Sequence, residues 1–217
     1  KAADAQVGDD FQINPEQIES RYFGVLTKIF NVGRFASQFD FGGDLDKVPD
    51  NLENEDQWIL AEFSVLLEKA RVGYSGLDIY TAAQGIKTFS TGVFASHWLE
   101  MSKTRLYNGD TSATWTLHRI FRDLLSILSP ICPFFTHHLS TTLYEKSAVD
   151  VDTFPEIPMS GTEEWTKMTD SLVGFNSAVW KAKKDAGISL AAPISGHTVP
   201  DELKNIGPAL VSMHKLE

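Results

Sequence analysis

The sequence holds 217 residues, 42% of them apolar and 22% charged, with a formal net charge of -10. This is the composition of an ordinary globular domain, long enough to bury a full core and to form one domain or one domain with a small appendage. The acidic balance argues against a nucleic-acid partner on average, yet it leaves room for a local basic stripe.

In chain order, Asn14 and Pro15 make a good helix start, with Asn as N-cap and Pro at the first helical position. From there Ile18, Tyr22, Val25, Leu26, Ile29, Phe30, Val32 and Phe35 recur at spacings of 3 and 4, which predicts one amphipathic helix. "DFGGDLDKVPDN" is a polar break carrying Gly and Pro. A second helix is expected from Glu55 or Asp56, with Ile59, Leu60, Phe63, Leu66 and Leu67 on its apolar face. A third, long helix should cover 78–107, its buried stripe marked by Ile79, Ala82, Ala83, Ile86, Phe89, Val93, Phe94, Trp98 and Met101. Gly85 and Gly92 inside it each cost about 1 kcal/mol, so they imply close packing or a bend.

After "NGDTSA", two helical pieces split at Pro130 and Pro133. Leu117, Ile120, Leu124, Leu125, Ile127 and Leu128 line the first. "VDVDTFPEIP" is a proline-bearing connector, and its acids join those of 44–56 as the acidic runs. A further helix should start after Thr162 and end at Lys183, Lys184 and Gly187, with acids first and bases last as the helix dipole favours. The last stretch reads as a short strand or loop followed by a short helix. The expected fold is all-α, a bundle of about five long helices with a small C-terminal appendage.

No catalytic constellation stands out. There is no Gly-rich phosphate loop and no HExxH pair. His137 and His138 point about 100° apart on a helix and suit no shared metal, so no metal site is expected. Cys132, the single cysteine, sits in an apolar segment and reads as a buried small side chain. It forms no internal disulfide and fits a reducing cytosol. No apolar run reaches about 18 residues, and "KAADAQVGDD" lacks the apolar core of a signal peptide. Without an initiator methionine, the chain reads as a piece of something longer. Cations gather at helix ends: Arg34 beside Phe35, Lys103 and Arg105 near Tyr107, and Lys181, Lys183 and Lys184 near Trp180. Such cations complement helix dipoles. They also suit a phosphate-tracking stripe, with the Asn31 amide to read a base edge and Arg34 to pair or stack. Trp58, Trp98 and Phe94 read as core.

Several segments, in collinear order, resemble one family. "TKIFNVGRF" (27–35), "EDQWIL" (55–60), "FASHWLEMSKTRLY" (94–107) and "ILSPICPFFTHHLSTTLYE" (127–145) resemble motifs of the anticodon-binding domain of class Ia aminoacyl-tRNA synthetases. "FPEIP" resembles the connector after the bundle, and "KDAGISLAAPI" a stretch of valine enzymes of the archaeal and eukaryotic type. Departures are Trp98 where tyrosine is common, His137-His138 where two acids usually stand, and Thr141 near a usual tryptophan. "MSKT" (101–104) also resembles the ATP-binding KMSKS loop of the same enzymes. Its place late in an amphipathic helix, with no nucleotide fold around it, favours the bundle reading.

The resemblance implies a stem junction at 1–14, an anticodon-binding bundle at 15–150, and a C-terminal helix and appendage at 151–217. It implies binding of a tRNA anticodon stem-loop, most like that for valine, with the isoleucine or leucine synthetases, or a free-standing helical interaction module, as alternatives. Asn31, Arg34 and Phe35 are the implied base contacts. Lys103 and Arg105 are candidates for phosphate contact or structural pairing. Lys181, Lys183 and Lys184 could touch phosphate by charge. No catalytic residue and no cofactor are expected here, ATP and Mg serving the intact enzyme. The expected setting is a cytoplasmic monomer with no membrane contact.

Overall fold

The structure, a computed structural model, describes residues 16, 23–145, 154–159 and 161–217. The expected helix start at Asn14 and Pro15, the stem junction 1–14, Ile18, Tyr22 and the acids of 149–152 lie outside the described residues. Within them, the chain is helical and holds no strand beyond an isolated bridge between Ile194 and Leu216. The helices are α1 (Gly24–Ala36), α2 (Asn54–Ser75), α3 (Ile79–Thr88), a π-helical segment (Phe89–Trp98), α4 (Leu99–Tyr107), α5 (Thr111–Leu128), α6 (Pro133–Tyr144), α7 (Thr162–Thr166) and α8 (Thr169–Asp185). A 3-10 turn (Asp201–Ile206) and α9 (Gly207–His214) follow.

The ends of these helices follow local chemistry. Asp78 accepts the Thr81 amide at 3.1 Å and Asp110 the Ala113 amide at 3.0 Å, so two first turns are capped by carboxylates. Glu55 and Asp56 stand in the first turn of α2, and Pro133 opens α6. Gly187 follows α8 at φ 68°, a backbone setting that costs glycine nothing.

The core is one apolar cluster. Trp58, Trp98 and Trp115 are fully buried in it, as are Phe63, Phe94 and Phe121. Every apolar residue expected on α2 is buried, as is every one expected on α5. Leu203, Ile206 and Leu210 of the C-terminal segment belong to the same cluster. Two expected core residues face outward: Phe30 is 38% and Ile79 39% exposed. Phe30 sits about 100° from the buried Ile29, and Ile79 is the first residue of its helix.

The long third helix is continuous in path but not in kind. Its middle widens into the π-helical turn, where bonds run i to i+5. The wider turn puts Phe89 and Phe94 on one side, stacked at 5.8 Å, with Trp98 stacked on Phe94 at 5.4 Å. Lys28 of α1 donates to the Thr91 carbonyl at 2.6 Å and to Ser96 Oγ at 2.8 Å. It thereby ties α1 to the π segment, where Ser96 Oγ also donates to the Thr91 carbonyl at 2.7 Å. Of the two interior glycines, Gly85 packs against α2, where an added Cβ would lie 3.0 Å from Leu66, and Gly92 stands in open space within the π turn. The helix expected after Thr162 is interrupted at Lys167 and Met168. Met168 turns into the core, while Trp58 Nε1 donates to Thr169 Oγ1 at 2.9 Å and fixes the new start.

Candidate nucleic-acid interface

Arg105 lies in the last turn of α4, where a cation complements the dipole. It goes much further than that. Nη1 donates to Glu55 at 2.9 Å and Asp56 at 3.0 Å. Nη2 reaches Asp56 at 2.7 Å, Ser112 Oγ at 2.8 Å and Asp110 at 3.2 Å, and Nε reaches Asp110 at 2.9 Å. Asp56 is fully buried and also accepts from Trp98 Nε1 and Ser112 Oγ. This charged knot ties α2, α4 and α5 together. Burial pushes the Glu55 carboxyl up, and Arg105 partly offsets that. Of the two roles expected for Arg105, the geometry supplies pairing; no N–H of its guanidinium points free for a phosphate.

The end of α1 is different. Ile29, Val32 and Ala36 anchor it in the core, which turns Asn31 and Arg34 outward. Both side chains are exposed, and neither carries a hydrogen bond or ion pair among the described residues. Phe35 is half-buried and packs at 5.0 Å on Phe39 and at 6.1 Å, edge-on, on Tyr107. Tyr107 is 65% exposed at the end of α4. The result is a free amide, a free guanidinium and an aromatic edge within one helical turn, the groups that read and stack unpaired bases.

The four lysines divide. Lys103 is bound by Glu100 at 2.6 Å and Lys181 by Asp185 at 2.6 Å, both on their own helices. Lys184 is exposed and shares a groove with Lys103. Lys183, expected as a phosphate contact, is fully buried. Its Nζ donates to the carbonyls of Leu190 at 2.8 Å and His214 at 2.7 Å. Burial removes Lys183 from any RNA-facing set and holds its ammonium below the usual lysine range. Beside it, Asn176 donates to His97 Nδ1 at 2.9 Å and accepts from His214 Nε2 at 2.8 Å. That buried bridge joins the π segment, α8 and α9. "MSKT" is helical, with Met101 and Ser102 buried and Lys103 tied to Glu100.

Residues 56–198 match the family described as the anticodon-binding domain of tRNA ligase. The chain belongs to that family. It is similar to the valine--tRNA ligase of Nanoarchaeum equitans, 27% identical over all of this chain and 28% of the relative. The valine--tRNA ligase of Aeropyrum pernix is 32% identical over 97% of this chain and 27% of the relative. That of Sulfurisphaera tokodaii is 34% identical over 71% of this chain and 19% of the relative. The chain thus spans 19% to 28% of the length of these relatives. In this anticodon-binding domain the matched span opens on Asp56, the buried centre of the charged knot.

Sequence reasoning missed Tyr107 as part of the aromatic edge, and it missed Lys28 altogether. The signal was present in spacing. Lys28 stands seven residues before Phe35, two full turns along the same face of α1. Among the described residues no group of three or more His, Cys, Asp and Glu is placed to hold a metal. No described helix is long and apolar enough to cross a membrane. His137 and His138 are exposed, and burial pushes the half-buried Cys132 thiol up, away from the reactive thiolate.

Proposed function

We propose that this anticodon-binding domain grips the anticodon stem-loop of a valine tRNA, within a longer cytoplasmic enzyme that ligates valine to that tRNA. ATP and Mg serve the ligation in the rest of that enzyme, and the intact enzyme works as a monomer. The names of the relatives favour valine over isoleucine or leucine. One observation carries the reading of the site. Asn31 and Arg34 stand outward beside the Phe35–Tyr107 edge with side chains unpaired among the described residues, whereas Arg105, Arg119 and Arg122 are spent on carboxylates of the fold. A free-standing interaction module would need no such set.

Filter binding tests this with a valine tRNA transcript and the same transcript carrying substituted anticodon bases. The domain should prefer the native anticodon. Arg34→Ala should weaken native binding about tenfold, in the range of one well-made polar base contact. Equal affinity for both transcripts would sink the assignment.

A further inference from the structure

A groove of about 640 Å³ opens between the bundle and the C-terminal segment. One wall carries Lys28 of α1 with Glu100 and Lys103 of α4; the other carries Trp180 and Lys184 of α8, and Lys215 just after α9. Four lysines against one carboxylate is an unusual local balance in a chain whose net charge is -10. Glu100 neutralises Lys103, and Lys28 is tied to Thr91 and Ser96. Lys184 and Lys215 are exposed, and their side chains have no hydrogen-bond or ion-pair partner among the described residues.

Their placement is built from beneath. The buried Lys183 clamps the carbonyls of Leu190 and His214. Lys184 and Lys215 are the very next residues after Lys183 and His214. One buried lysine therefore fixes two exposed lysines on a common wall, against their mutual repulsion. Convergent cations without an acid to answer them create a field that favours an anion.

The groove also has a direction. Lys28 leads along α1 to Phe35, seven residues and about 10 Å on. Lys103 leads along α4 to Tyr107, four residues and about 6 Å on. Both helices thus run from the lysines to the aromatic edge, where they meet again in the Phe35–Tyr107 contact.

We infer that this groove holds the sugar-phosphate backbone of the RNA whose bases reach Asn31, Arg34 and the Phe35–Tyr107 edge. The C-terminal segment then supplies half of the RNA interface through Lys184 and Lys215. This rests on the tRNA reading above.

The test is the double variant Lys184→Glu/Lys215→Glu of the 217-residue chain, binding the anticodon stem-loop transcript from about 50 to about 200 mM salt. Both residues are exposed, so the melting curve should match the parent. The Kd should rise tenfold or more at low salt. The slope of log K against log salt should flatten by about 1.4 to 1.8, the release expected for two phosphate contacts. The preference between native and substituted anticodons should persist. Lys69→Glu/Lys204→Glu, the same charge change outside the groove, should leave the slope as in the parent.

An unchanged Kd and slope in the groove variant, with a parent that still discriminates anticodons, would overturn the groove alone. So would an equal loss in the Lys69/Lys204 control, which would make the effect one of net charge. A parent that fails to discriminate overturns the tRNA reading itself.

Discussion

Arg34 and Arg105 each occupy the last turn of a helix, α1 and α4. By position they are equivalent, and either suits the helix dipole. Their environments are opposite. Arg105 is enclosed by Glu55, Asp56, Asp110 and Ser112, while Arg34 reaches into solvent with no partner among the described residues. Lys183 and Lys184 repeat the contrast on consecutive residues, the first buried under two carbonyls and the second open to the groove. In both pairs the inward cation is spent inside the fold and the outward one stays exposed.

The comparison breaks hardest at Arg105. Arg105→Ala leaves Asp56 charged, fully buried and without its counter-ion. Removing one partner of a buried pair costs about 3–5 kcal/mol. Urea denaturation should show that loss in unfolding free energy. A loss below about 1 kcal/mol would make the pair a surface interaction in disguise.

Acid should attack the second pair's surroundings next. Burial, with Lys183, His197 and His97 nearby, pulls His214 down to about 4, and burial lowers His97 as well. The geometry agrees: His97 Nδ1 accepts from Asn176, and His214 Nδ1 is buried without a donor. The folded state keeps these rings neutral, so below about pH 6.5 the unfolded chain binds more protons. Stability is therefore full above that pH and falls as pH drops toward 4, by about 3 kcal/mol for His214 alone. Glu55 and Glu62, whose carboxyls burial raises, act in the opposite sense and soften the slope. Denaturation midpoints at pH 7 and 4.5 check this; the slope should be shallower in His214→Gln.

Lys183→Met should follow, with a loss of about 2 kcal/mol. It keeps the volume but strips two buried carbonyls of their donor. Hydrogen exchange should rise first in 188–194 and α9. Protection there equal to the parent's would mean that the clamp does not hold the C-terminal segment.

These contrasts also mark what the sequence could and could not tell. Helices α2 and α5 were legible because every apolar residue in their stripes is a local, periodic signal that burial rewards. The bundle followed from that, and so did Trp58, Trp98 and Phe94 in the core. The π turn was not legible, because Phe89, Val93, Phe94 and Trp98 fit a regular helix nearly as well as the wider one. Lys28, which binds a carbonyl within that turn, stands 63 residues away from it in sequence. The fate of each cation was hidden for the same reason. Arg105 meets Asp56 across 49 residues, and Lys183 meets His214 across 31. Charge at a helix end is visible in sequence; whether it is spent inside depends on contacts made only by folding.

The smallest expected effect is the sharpest test of the contrast. Arg34→Ala removes an exposed charge with no hydrogen bond or ion pair among the described residues, so the unfolding free energy should stay within about 0.5 kcal/mol of the parent. The same variant should lose about tenfold in tRNA affinity. A structural residue moves both quantities together, as Arg105 should, because binding fails only through unfolding. A ligand-facing residue moves one and spares the other. If Arg34→Ala lowered stability by as much as it lowered binding, Arg34 would join Arg105 as part of the frame. The open end of α1 would then need another reader of the bases, and Asn31 with the exposed Tyr107 edge is what remains there.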